Sequence, residues 1–268
     1  MSKVLRKNML SDILIEKGVF IVDNLELGNT GKRVQVVRDD FVEGGTKARV
    51  LHKKLIDFAK GKELVYPATP YGYGQLALSV AANTLNREVR IFGPKLEKRS
   101  SSQQCAVDYG AVLEEIDLEG GAFDEITDYA IRYAQADPEK RVYLNAGFDS
   151  QEFIDLTADA IMSIREQLRE EPSQVWAIGG SGALSAALQK VFPNSDHRIV
   201  TVRHTGSQYG VDCNKRDASR VYGAPEAFAE VAKYPPSFAS SEHYESKLWN
   251  VLIGCSDEVE PNSLVWNM

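Results

Sequence analysis

The sequence predicts an α/β protein of two lobes, each a parallel or mostly parallel sheet covered by helices. Three observations predict it. From about residue 60 onward, short apolar runs alternate with amphipathic stretches, which is the pattern of strands crossed by helices rather than of a sandwich or a bundle. A second alternating series follows residue 150 and contains its own glycine-rich turn. With 43% hydrophobic residues in 268, the chain can bury a core of that size.

The elements follow in order. An early strand at Val34–Arg38 precedes the first lobe and is free to join the second sheet. Strands are expected at Leu64–Pro67, Val89–Phe92, Val112–Ile116 and Val142–Leu144, with helices near 74–86, 100–109 and 123–136 between them. The second series reads as a long helix through Glu152–Arg169, a strand at Val175–Ile178, a helix Ala183–Lys190 after Gly182, and a strand at Arg198–Val202. The apolar end, Asn262–Met268, reads as a closing strand. This order makes residues 48–145 a smaller α/β lobe inserted into a larger one formed by 1–47 and 146–268.

Composition narrows the function classes. Lys and Arg total 31 against 38 Asp and Glu, a formal charge of −7, and no basic run is long enough for a nucleic-acid footprint. No stretch has the eighteen or so apolar residues of a membrane helix, and the N-terminus lacks the apolar block of a secretory signal, so a cytoplasmic location is expected. Cys105, Cys213 and Cys255 lack paired spacing and are read as reduced thiols. His52, His197, His204 and His243 lack metal-ligand spacing, and no metal is expected.

Two segments carry chemistry. Arg38-Asp39-Asp40-Phe41-Val42-Glu43-Gly44-Gly45-Thr46-Lys47-Ala48-Arg49 ends a strand, turns through two glycines and opens a helix, so Lys47 falls in the first helical turn. The positive end of the helix dipole disfavours an ammonium there, and a neutral amine is what Schiff-base chemistry requires. Val175-Trp176-Ala177-Ile178-Gly179-Gly180-Ser181-Gly182-Ala183 runs from a strand through glycines into a helix, a geometry whose N–H groups can surround a phosphate. It is not a GxxxxGK[ST] loop. Each segment is equally what a packed turn needs: Lys47 can be a solvated lysine, and the glycines can serve close packing.

The RDD-x3-GG-x-K-x-R segment, followed by a strand, a glycine-containing loop and an alanine-rich helix, resembles the fold-type II pyridoxal-phosphate enzymes. The nearest likeness is their aminocyclopropane-carboxylate deaminase and D-cysteine desulfhydrase branch. Val221-Tyr222-Gly223-Ala224-Pro225 is similar to that branch's YG-x-P segment, and His243-Tyr244-Glu245-Ser246-Lys247 to its YEGK segment. The resemblance implies a cleft between the lobes holding pyridoxal 5'-phosphate, bound covalently by Lys47. It implies that Gly179, Gly180, Ser181, Gly182 and Ala183 hold the phosphate, that Glu245 faces the pyridine nitrogen and that Tyr222 and Tyr244 face the substrate. It also implies a homodimer.

One loop departs from that pattern. Where relatives carry a Ser/Thr-x-Asn loop for the substrate carboxylate and the cofactor hydroxyl, this chain has Ala68-Thr69-Pro70-Tyr71-Gly72-Tyr73-Gly74-Gln75, with Gly72 at the Asn position. Thr69, Tyr71, Gly72 and Tyr73 are therefore the expected substrate-binding residues of a re-lined pocket. The implied activity is a lyase or deaminase acting at the α-carbon of an amino acid or amine. The alternatives are a decarboxylase or transferase for an amino acid attached to a larger molecule, such as a phage-modified DNA base, and a catalytically inactive binding relative.

Overall fold

A computed structural model describes residues 10, 11, 13–118, 123–202 and 220–268. His204 and Cys213 lie outside the described residues. The chain divides into two compact units, one of Met1–Val42 with Gln151–Met268 and one of Glu43–Ser150.

The first unit is built on a six-stranded sheet ordered β1-β2-β10-β7-β8-β9. β1 (Val22–Glu26) and β2 (Arg33–Arg38) form an antiparallel hairpin. The other strands, β7 (Gln174–Gly179), β8 (Asp196–Thr201), β9 (Arg220–Gly223) and β10 (Ser263–Asn267), run parallel to β2. β7 and β10 are buried along their whole length, as a parallel strand covered on both faces must be, and this explains their unbroken apolar runs. Trp176 and Trp266 sit in this core. Gln174, also fully buried, organises the sheet's lower end: its Oε1 accepts from Trp176 Nε1 at 3.0 Å, from Ser263 Oγ at 3.0 Å and from Glu260 N at 3.2 Å.

The second unit is a four-stranded, wholly parallel sheet ordered β5-β4-β3-β6, from β3 (Glu63–Pro67), β4 (Val89–Pro94), β5 (Val112–Ile116) and β6 (Arg141–Tyr143). Its helices are α1 (Gly45–Leu55), α2 (Tyr73–Thr84), α3 (Ser101–Asp108) and α4 (Phe123–Gln135). α4 buries Ile126, Ala130 and Ala134 against Val65 and Phe92, the four-residue spacing of one helical face. A capping box starts α3: Ser100 Oγ accepts from Gln103 N, and Gln103 Oε1 accepts from Ser100 N.

The expected helix through Glu152–Arg169 is two helices, α5 (Gln151–Ile161) and the short α6 (Ile164–Gln167). The periodicity continues through the break, but Ser163 donates its hydroxyl to the Gly18 carbonyl at 2.6 Å and the turn tightens, with Arg165 N bonding Met162 O and Glu166 N bonding Ser163 O. The closing strand, β10, is interior rather than at an edge: it lies between β2 and β7. Strand β1 was not expected, because its sequence, VDNLE, carries too little apolar alternation to read as a strand. α7 (Ala183–Val191) and α8 (Glu245–Gly254) complete the first unit. Among the described residues, no helix is long and apolar enough to cross a membrane.

Candidate active site

In the second unit, Gly44 caps α1 in the left-handed conformation, φ 80°. A β-carbon on Gly44 would stand 2.8 Å from Ala48 Cβ and 3.0 Å from Ala77 Cα, so both the turn and the close approach of α2 require glycine. Gly45 follows at φ 62° and begins the helix. Lys47 is the third residue of α1, half-buried in its first turn, where the helix presents its unpaired N–H groups.

The loop 69–72 enters α2 with Gly72 as N-cap and no side-chain cap. Its carbonyls are drawn inward. Gln75, fully buried, donates Nε2 to Thr69 O and Gly72 O, each at 3.1 Å, and to Ser102 Oγ at 3.1 Å. Ser100 Oγ donates to Pro70 O at 2.5 Å. A β-carbon on Gly72 would meet Thr69 Oγ1 at 2.5 Å, so the threonine hydroxyl fills the space that a side chain at 72 would enter. Thr69, Tyr71 and Tyr73 are half-buried. Gly74 packs under the Tyr66 hydroxyl, which accepts from Gly147 N at 2.9 Å and whose pKa burial pushes up. The clamp formed by Gln75, Ser100 and Ser102 was missed from sequence. Its signal was a glutamine in an otherwise apolar, wholly buried helical turn.

In the first unit, β7 ends at Gly179 and α7 begins at Ala183, with Gly182 as a left-handed N-cap at φ 82° and no side-chain cap. Ser185, in the first turn of α7, is buried, and among the described residues its hydroxyl has no hydrogen-bond partner. A β-carbon on Gly180 would lie 3.4 Å from the Tyr244 ring. Tyr244 is the N-cap of α8, and Glu245, its first residue, is 4% exposed. Tyr244 is thus brought to the Gly179–Ala183 turn through Gly180, and Glu245 is buried next to it in the chain.

Tyr222 is placed otherwise. On β9 its ring packs at 5.2 Å from Trp176, and its hydroxyl donates to Glu258 Oε2 at 2.8 Å and accepts from Arg198 NH1 at 2.7 Å. Arg220 also binds Glu258. Burial pushes the Tyr222 hydroxyl above its ordinary pKa, and the bond to Glu258 pushes the same way; the hydroxyl of Tyr222 and the two arginines hold the Glu258 carboxyl below its own.

The residues at the turn fit pyridoxal phosphate. Uncapped helix N–H groups after a left-handed glycine supply the donors a phosphate needs, and the buried Ser185 hydroxyl in the same helical turn has a donor to spare. A buried carboxylate one residue beyond Tyr244 supplies the acceptor that a protonated ring nitrogen needs. Among the described residues, no group of three or more His, Cys, Asp or Glu is gathered as a metal site.

No protein-family model matches the sequence, and no curated protein does. Solved structures do. An ACC deaminase homologue superposes with a TM-score of 0.74 at 14% identity, over 92% of this chain and 87% of that one. The processed form of threonine deaminase isoform 2 from Solanum lycopersicum gives 0.68 at 14%, over 99% and 84%. A hydrogen sulfide-producing enzyme from Fusobacterium nucleatum gives 0.68 at 13%, over 95% and 87%. At such identities the likeness is one of fold, and the fold of this chain is that of the fold-type II pyridoxal-phosphate enzymes.

Proposed function

We propose that the protein is a pyridoxal-phosphate-dependent lyase or deaminase acting at the α-carbon of an amino acid or amine. The observation that carries this reading is the Gly179–Ala183 turn, where an uncapped helix start and the Tyr244 ring meet on one fold-type II sheet, with Glu245 buried beside Tyr244 in the chain. When bound, the cofactor supplies an electron sink that stabilises negative charge at the α-carbon. The N–H groups at the start of α7 and the Ser185 hydroxyl hold its phosphate. Glu245 keeps the ring nitrogen protonated by accepting its hydrogen bond. Lys47 would hold the cofactor through Nζ, and that nitrogen would take or return the α-proton. Of the two tyrosines, Tyr244 is the better placed acid or base, because the Tyr222 hydroxyl is already engaged by Arg198 and Glu258.

The 69–73 loop favours a second reading of the substrate. Thr69, Tyr71 and Tyr73 line it where relatives have an asparagine, and Gly72 cannot carry a side chain unless Thr69 moves. This supports an amine larger than a free amino acid, including one carried on a modified base.

The test is addition of pyridoxal phosphate to purified protein, with visible absorption, borohydride reduction and peptide mapping. A new band and a label on Lys47 are expected, with both the fixed label and turnover lost in Lys47→Ala. A label scattered over surface lysines overturns the cofactor reading. A cofactor-loaded protein that turns over neither free amino acids nor aminoacylated molecules leaves the inactive relative as the correct description.

A further inference from the structure

Lys247 is the one large charged side chain among the most completely buried residues described, at 0% exposure. Removing a lysine from water costs both hydration and side-chain freedom, so such a residue persists where its amine is bonded. Its Nζ donates to Ala227 O at 2.7 Å and to Phe228 O at 3.3 Å. Both acceptors are main-chain carbonyls, so the bond fixes backbone rather than another flexible side chain.

What that backbone carries gives the bond its consequence. The Phe228 ring meets the Tyr244 ring edge-on, with centroids 5.5 Å apart and planes at 78°. Tyr244 in turn lies against Gly180, where even a methyl group would touch its ring. Lys247 and Tyr244 are also joined along α8 by the bond from Lys247 N to Tyr244 O at 2.8 Å. A closed circuit results: Tyr244 to Lys247 through the helix, Lys247 to residue 228 through its amine, and Phe228 back to Tyr244 through its ring.

We infer that Lys247 is a positioning residue, whose buried amine seats the Phe228 ring against Tyr244 and so fixes Tyr244 beside Gly180. The groups around it are consistent with this task. Glu226 and Glu230 are the acidic neighbours whose charge favours the ammonium, and His243 Nδ1 lies 3.2 Å from the same Phe228 carbonyl. Burial outweighs the two glutamates and pulls the amine below its ordinary pKa. Glu226 is itself tied to α8 by Asn250 Nδ2 at 2.7 Å, so the 226–230 segment is bound to the 243–250 stretch through His243, Lys247 and Asn250, and Lys247 is the one whose amine engages two of its carbonyls.

The importance of Tyr244 rests on the function proposed above, so the experiment reads position and cofactor separately. The full chain is labelled with 3-fluorotyrosine, and the Tyr244 resonance is assigned among the 11 tyrosines by its loss in Tyr244→Phe. Lys247→Met keeps length and removes the donors; Lys247→Gln is the milder variant, keeping a shorter donor. In both, the Tyr244 fluorine resonance is expected to shift or broaden without cofactor. The dissociation constant for pyridoxal phosphate is expected to rise about tenfold in Lys247→Met and less in Lys247→Gln. An unmoved Tyr244 resonance in either folded variant overturns the inference. A resonance that moves while cofactor affinity stays at the wild-type value upholds Lys247 as the residue that positions Tyr244 and removes Tyr244 from the cofactor site.

Discussion

At Gly44 the backbone turns through φ 80° under a helix that leaves no room for a β-carbon, and three residues later comes Lys47. The glycine pair and the lysine were legible in sequence because turn chemistry is local: a left-handed residue next to an apolar-periodic run marks a helix start whatever the rest of the chain does. The Tyr222 hydroxyl was not legible. Its partners, Arg198 and Glu258, lie 24 and 36 residues away, and only the sheet brings them to it. His197 shows a further residue-scale consequence. It is buried on β8 with Nε2 2.8 Å from Phe192 O, and burial lowers its pKa from 6.5 despite that bond. Between the lowered value and 6.5 the folded chain therefore binds fewer protons than the unfolded one. Stability falls as pH drops through that window and levels off below the folded value. Urea midpoints measured from about pH 7.5 to about pH 5 are expected to decline in wild type and to decline less in His197→Gln.

At the scale of elements, the strand–glycine–helix unit from Gln174 to Val191 is the part of the site the sequence displayed most fully. Apolar run, glycines and apolar periodicity are all short-range features, so β7 and α7 lie close to their expected bounds. The unit also makes a prediction that separates two of its three glycines, Gly180 and Gly182. Gly182 sits at φ 82°, so Gly182→Ala strains the backbone and is expected to cost about 1–2 kcal/mol, read by denaturant unfolding. Gly180 has no such φ, but a side chain there reaches the Tyr244 ring. Gly180→Val is therefore expected to weaken pyridoxal-phosphate binding about tenfold, by displacing Tyr244, while disturbing the left-handed cap little; equilibrium absorption titration checks it. The α5–α6 break is the converse case. Apolar periodicity ran through it, and a single serine bonding a carbonyl 145 residues earlier in the chain ended the helix.

For the whole molecule, the decisive feature is β10, the last strand, seated between β2 and β7. Its pairing with β2 joins residues more than 200 positions apart, Leu264 with Gln35 and Trp266 with Val37, so the first unit closes only when residues 263–267 are in place. Trp266 is almost wholly buried there and meets Phe20 edge-on at 5.5 Å. Trp266→Ala is expected to destabilise the protein by about 3–5 kcal/mol, measured by denaturant unfolding, the range for emptying an aromatic from a packed core. A loss below about 1 kcal/mol would show that β10 does not hold the sheet together. The sequence by itself determined the fold class, the positions of most strands and helices, and the two glycine turns, because period and turn chemistry act over a few residues. The tertiary structure alone decided that β10 is central, that Gln75 and Lys247 bury their polar ends on main-chain carbonyls, and that Tyr244 rather than Tyr222 lies against the glycine turn. Those outcomes depend on which distant groups a side chain meets once the sheet has formed, and no local pattern encodes that.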